Sequence, residues 1–229
     1  MKSTFARMKG LPEGSLQAVA SRLKKVRFDL NRDIQVLATD VEPTKLTIEA
    51  LQRKKREAPT FDDTKQQVVN EERYEYRGLL FVLDAQNLIA STPGGKRDFS
   101  LLHDLLNTAG AGDVDIEPLS VDLIAWVKAF MKMYDVLQLG QIVVDGFYSE
   151  EHKLSGRYAA KTLSGQLDPS ILPDLPGQLR SIRFGFHHYD ARRSIEARAD
   201  GVLTVGSSDD EDVPDFFKEQ RPLFLKHGL

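Results

Sequence analysis

Hydrophobic and polar positions alternate most regularly between Leu179 and Val205. Ile182, Phe184 and Phe186 alternate with Ser181, Arg183 and Gly185, the period of a strand with one buried face. Tyr189-Asp190-Ala191-Arg192 reads as a turn. A second run, Arg193 to Ala199, ends at Asp200-Gly201, a two-residue hairpin signal in which both turn positions need φ > 0. Val202 to Val205 then returns. The pattern predicts a three-stranded meander with a polar, basic face carrying Arg183, His187 and either Arg192 or Arg198.

Elsewhere the same periods predict further strands and helices. Ser3 to Met8, Ile34 to Thr39, Val114 to Pro118, Gln141 to Phe147 and Tyr158 to Leu163 read as strands, and Leu88-Ile89-Ala90 as a short return. Thr44 to Ala58 starts as a strand and gives way to a basic segment. Gln66 to Tyr76 is polar but compatible with a strand. Leu79 to Leu83, the most apolar run, predicts a central strand buried on both faces. Helices are predicted from Ser15 to about Val26, from Asp98 or Ser100 to Asn107, and from Ser120 or Asp122 to about Tyr134. Leu123, Ile124, Val127, Phe130 and Met131 form the buried stripe of the third, with Trp126 beside it. Val213 to His227 reads as a terminal helix interrupted at Pro222.

Strands with inserted helices, rather than strict alternation, indicate an α+β fold of mostly antiparallel sheet in two packed lobes. Gly110-Ala111-Gly112 is the expected boundary. The expected division is 1–110, an N-terminal α+β lobe with the basic segment; 111–206, a C-terminal α+β lobe with the meander; and 207–229, an acidic linker and terminal helix.

Composition changes this picture little. The 229 residues suffice for a sizeable core, and 41% hydrophobic with 28% charged residues argues against disorder throughout. A net charge of -3 leaves phosphate binding to local patches. With no cysteine there is no disulfide, thiolate chemistry or cysteine-ligated metal. MKSTFARMKG lacks the apolar run of a signal peptide, and no window approaches a membrane span, so a cytoplasmic protein is expected.

Candidate chemistry is scattered. His187 and His188 are adjacent on a strand and point to opposite faces, His188 inward and His187 outward, which rules out a simple two-histidine site. His187 with Arg183 could bind a phosphate or act as a general acid. Ser91-Thr92-Pro93-Gly94-Gly95-Lys96-Arg97 looks like a phosphate loop. Ala90 stands where a Walker A motif needs its first glycine, and Arg97 where it needs Ser or Thr. It reads as a glycine-rich turn before a capped helix, with amides and two cations as an alternative anion site. Arg53-Lys54-Lys55-Arg56 is the densest positive run, and with Lys24, Lys25 and Arg27 it could contact nucleic-acid phosphates. Tyr74 and Tyr76, flanked by Arg73 and Arg77, could add stacking platforms. The C-terminal PDFFKEQRPLFLKHGL either docks on its own fold or serves as a docking peptide.

Gly94-Gly95-Lys96-Arg97-Asp98, a leucine-rich helix and Asp113-Val114-Asp115 together resemble the head of the nucleotidyltransferase superfamily, the tRNA-tailing type in particular. The resemblance implies Mg²⁺ held between Asp113 and Asp115, with Asp145 as a third carboxylate. It departs from the pattern by one missing residue between the glycine pair and Arg97.

The expected function is a non-catalytic cytoplasmic adaptor or complex subunit, with no cofactor, no metal and no membrane contact. It would contact a protein partner, and nucleic acid through Arg53, Lys54, Lys55, Arg56, Arg183 and His187. The alternative is a metal-dependent nucleotidyl- or phosphoryl-transfer enzyme using Asp113, Asp115 and Asp145. A weaker one is a histidine-based nuclease using His187. The sequence leaves the oligomeric state open.

Overall fold

The structure is a computed structural model that describes residues 1–10, 16–29, 32–84, 89–111, 113–134, 136–149, 154–160, 178–188, 191–207 and 213–228. In chain order the elements are β1 (Lys2–Lys9), α1 (Leu16–Leu23), β2 (Ile34–Glu42), β3 (Lys45–Asp62), β4 (Gln67–Asp84), β5 (Ile89–Thr92), α2 (Arg97–Thr108) and β6 (Asp115–Pro118). There follow α3 (Leu123–Met131), β7 (Val136–Ser149), β8 (Leu154–Ala160), β9 (Gln178–His188), β10 (Ala191–Arg198), β11 (Val202–Ser207) and α4 (Val213–Lys226). The fold is α+β, mostly antiparallel sheet with inserted helices. The chain forms two compact units, one of Met1–Ala6 with Pro118–Leu229 and one of Arg7–Glu117.

In the first unit the strands run in the order β11-β10-β9-β7-β8, and Lys2 to Thr4 of β1 pair with β11. The expected meander is present. Ile195 lies opposite Phe184 on one side and Val205 on the other. Ile182, Phe184, Phe186, Ile195, Ala197, Leu203 and Val205 all face inward and are buried. Removing a large apolar side chain from water stabilises a fold by roughly 1.5–3 kcal/mol. Helices α3 and α4 pack on this inner face. Trp126 lies between Phe184 (5.8 Å) and Phe224 (5.9 Å), and Phe130 meets Phe184 (5.0 Å) and Phe186 (5.1 Å). The Asp122 side chain accepts a hydrogen bond from the Ala125 amide (3.0 Å) and so starts α3.

Three expectations for this unit need correction. Trp126 is the centre of the α3 stripe, fully buried, while Ile124 and Met131 are half-exposed, because a helix two turns long presents one narrow arc to the sheet. Helix α4 runs through Pro222 without a break, since Phe216, Phe217 and Phe224 on either side of it are buried in the same core. The C-terminal segment therefore docks on its own fold. The hairpin between β10 and β11 has three loop residues, with Arg198 opposite Val202. Only Gly201 has a left-handed backbone (φ +80), so Asp200 needs no special conformation. Of the turn expected at 189–192, Ala191 and Arg192 instead begin β10, paired with His188 and His187, and Ser207 of the expected acidic link ends β11. Residues 189–190, the loop 165–177 and 208–212 lie outside the described residues.

In the second unit the order is β2-β3-β4-β5, all antiparallel. Leu46, Ile48 and Ala50 of β3 and Leu79, Phe81 and Leu83 of β4 form the inner row, and α1 packs against β2, β3 and α2. Leu80 is 38% exposed, so the apolar run is buried on one face rather than two. Thr44 to Ala58 does not fall into strand and loose segment. Its whole length from Lys45 onward belongs to an 18-residue strand, because β4 pairs with it continuously from Asp84 to Gln67.

Gly201 supplies a test of the meander. A Cβ there would come within 2.7 Å of the Phe5 carbonyl oxygen and 3.0 Å of the Leu119 oxygen. Gly146 also has a left-handed backbone (φ +74) but open space around it. Left-handed strain alone costs roughly 1–3 kcal/mol. Gly201→Ala is expected to pay that cost plus the clash, so urea unfolding should show it less stable than Gly146→Ala. Equal losses at the two sites would contradict the close approach of β1 to this turn.

Candidate interaction surfaces

Because α3 and α4 cover one face of the first unit's sheet, the alternate side chains of β7 to β11 point away from that core. The outward row of β9 and β10 pairs Arg183 with Glu196, Ser181 with Arg198 and His187 with Arg192. Arg183, His187, Arg192 and Arg198 are exposed. Arg193, one residue out of phase, is instead buried with its guanidinium 5.3 Å from the centre of the Phe216 ring. The side chain of His188 lies outside the described set.

Toward β7 and β8 this face dips into an open concavity of about 210 Å³ lined by Val143, Arg157, Arg180, Ser181, Glu196, Arg198 and Asp200. Its charges are arranged in clamps. Asp145 accepts from Arg157 Nε (2.7 Å) and Nη2 (3.3 Å), and from Arg180 Nε (2.5 Å). Asp200 accepts from Arg198 Nε (3.0 Å) and Nη2 (2.7 Å). The Arg157 hydrogen bonds, then that of Arg180, lower the Asp145 pKa from the ordinary 3.8 to about 2. As the third carboxylate of the nucleotidyl-transfer reading, Asp145 has both oxygens engaged by guanidinium groups. Asp113 and Asp115 are exposed and belong to the other unit. Among the described residues no cluster of three or more His, Asp or Glu side chains is placed to hold a metal.

The glycine-rich loop before α2 is closed by the chain's own carboxylate. Asp98 is 2% exposed and its Oδ2 accepts from the Gly95 amide (3.1 Å), while its Oδ1 pairs with Arg77. A Cβ on Gly94 would overlap that carboxylate. Asp98 thus ties the glycine pair and Arg77 to the first turn of α2.

In the second unit the β3–β4 hairpin continues past the end of β2. Beyond the Gln52 position it is a two-stranded ribbon of ten residue pairs, Arg53 with Tyr76 through Asp62 with Gln67. At the usual strand rise it is about 30 Å long. Its tip is closed by the Asp62 carboxylate, which accepts from the Thr64 (3.0 Å) and Lys65 (3.2 Å) amides. At its root the Arg53 guanidinium lies 4.9 Å from the Phe28 ring and 5.0 Å from the Tyr74 ring, and meets Asp33 at 2.9 Å.

The four candidate phosphate contacts lie on this ribbon, where Arg53 stands opposite Tyr76, Lys54 opposite Glu75, Lys55 opposite Tyr74 and Arg56 opposite Arg73. Lys54 faces Glu75, Lys55 pairs with Glu72, and Arg56 pairs with Glu75 at 2.8 Å. The Glu72 contact raises the Lys55 pKa above its ordinary value. Within the run that looks densely positive along the sequence, Lys55 and Arg56 are thus paired with glutamates of β4 and Arg53 with Asp33. One ribbon face carries Tyr76 (58% exposed), Tyr74 (48%), Phe61 (53%) and Val68 (66%). The sequence pattern singled out the two tyrosines. Phe61 and Val68 join them only through the register, which sets Phe61 opposite Val68. The Asp145 clamp also escaped the sequence reading, because Arg157 and Arg180 are distant along the chain.

Searches against protein-family models and curated proteins find no match to this chain.

The Asp145 clamp has a definite acid signature. A carboxylate with a depressed folded pKa contributes stability above its unfolded value and loses it as pH falls through the folded one. The native chain is expected to lose this contribution between pH 3.8 and about 2, and Asp145→Asn to lack that part of the acid transition. An NMR titration placing the Asp145 carboxyl at its ordinary value would refute the clamp.

Proposed function

We propose that this chain is a non-catalytic cytoplasmic subunit or adaptor, and that it engages a protein partner through the aromatic face of the β3–β4 ribbon. The observation that carries this reading is the exposure of Tyr76, Tyr74, Phe61 and Val68 on one side of a ribbon whose charges are largely paired. Large apolar and aromatic side chains rimmed by charges are what the centres of protein interfaces use. The ribbon is fixed at its root by Arg53 and along its length by the β ladder, so little ordering is required on binding. Lone exposed apolar residues are ordinary, but here they form two pairs on one face, Tyr74 with Tyr76 near the root and Phe61 with Val68 near the tip.

A tagged chain recovered from its native host is expected to bring down a defined partner, and a Phe61→Ser, Val68→Ser double variant to lose it with the fold intact by circular dichroism. Equal recovery with both chains would sink the ribbon as the contact.

A second reading concerns the outer sheet face. Arg157, Arg180, Arg183, Arg192 and Arg198 project there against Asp145, Glu196 and Asp200, an excess of positive charge in a chain of net charge -3. On this reading a nucleic-acid backbone lies across β9 and β10 and is held by Arg183 and His187. Binding to a single-stranded oligonucleotide should then weaken steeply with salt, and Arg183→Ala with Arg192→Ala should flatten the salt slope. Affinity unchanged by either salt or the two substitutions would discard it.

A further inference from the structure

We infer that the free edge of β4 pairs with the same edge of a second copy of this chain, forming a four-stranded ribbon with its two-fold axis at Tyr74. This deepens the ribbon reading above by naming a further occupant, and it uses the edge rather than the aromatic face.

The main-chain pattern selects the edge. The Arg53 amide donates to the Asp33 carbonyl (2.8 Å), so the N–H and C=O of Arg53 point toward β2. In an antiparallel ladder these groups alternate from residue to residue. Those of Tyr76, opposite Arg53, therefore point away from β3, and so do those of Tyr74 and Glu72. Among the described residues β5 pairs with β4 only at Val82 to Asp84, leaving the ribbon part of that edge without a strand. By the same alternation the opposite edge, on β3, presents Pro59, which has no N–H to donate and so blocks pairing there. The β4 edge has no proline.

Charge complementarity selects the occupant and the register. With Tyr74 facing Tyr74, Arg73 of one copy faces Glu75 of the other, which also meets Arg56 of its own chain, and Glu71 faces Arg77, whose guanidinium also meets Asp98. The symmetry repeats both pairs, so four opposite-charge pairs form and no like charges meet. Moving the axis to Arg73 sets Glu71 against Glu75. Moving it to Glu75 sets Arg73 against Arg77. Each neighbouring register of the same face pattern is therefore repulsive, and only the one at Tyr74 is matched over this stretch.

The absence of cysteine makes the test direct. Full-length chain is expected to sediment at twice its monomer mass, and Tyr74→Cys to form a disulfide-linked dimer on mild oxidation. Lys54→Cys, one strand further in, should not cross-link. Arg73→Glu and Glu75→Arg should each shift the equilibrium at least tenfold toward monomer, and combining them should restore the dimer. Near-ultraviolet circular dichroism checks the fold of each variant. A native chain that stays monomeric at all concentrations would overturn the inference. So would equal cross-linking at positions 54 and 74, or a double variant no better than the singles. A monomer that still recovers its partner through Phe61 and Val68 would overturn this pairing and leave the partner reading standing.

Discussion

One-sided burial is the constraint on which the structure depends. A strand sends alternate side chains to opposite faces, and in this chain the helices cover one face of each unit's sheet. In the first unit the covered row is Phe184 and Phe186 of β9 with Ile195 and Val205 beside them, held under Trp126, Phe130 and Phe224. In the second it is Leu46, Ile48, Phe81 and Leu83. The uncovered rows hold Arg183, Arg192 and Arg198 of β9 and β10 and the alternating charges and aromatics of the ribbon. What the protein can bind follows from which row was left in water.

Those uncovered charges are mostly answered within the chain. Asp145 is held by two arginines, and Glu72 and Glu75 meet Lys55 and Arg56. Exposed pairs of this kind add little stability individually, typically less than about 1 kcal/mol. Their larger effect is on recognition. They remove unmatched carboxylates from the places where a metal was sought and balance the cations where phosphate was sought.

The ribbon is the exception to one-sided burial, since it continues beyond the strand that covers its edge. Backbone hydrogen bonding along β3 and β4 carries it, with Arg53 stacked between Phe28 and Tyr74 at the root. A two-stranded ribbon has little core of its own and gains more by binding than by folding alone. Its aromatic face and its proline-free edge offer two distinct contacts, one through side chains and one through main chain.

The period of two in β9 to β11 and the apolar stripe of α1 were legible along the chain, and that of α3 in part, because alternation and helical spacing are local properties. Asp200-Gly201 marked a hairpin correctly, although the loop has three residues. The terminal helix was visible despite Pro222, whose disruption was outweighed by phenylalanines that only the assembled core brings together. What the linear order could not supply was partnership across distance. Arg53 to Arg56 form a positive run along the chain, and only the folded hairpin brings Glu72 to Lys55 and Glu75 to Arg56 by diagonal contacts across the strands, with Asp33 meeting Arg53. Asp145 resembled a metal ligand until Arg157 and Arg180 arrived from other strands. Sequence determined which residues could alternate, turn and cap, since these depend on near neighbours. Tertiary structure decided which charges are neutralised and which edge stays open, since both depend on strands that meet only after folding.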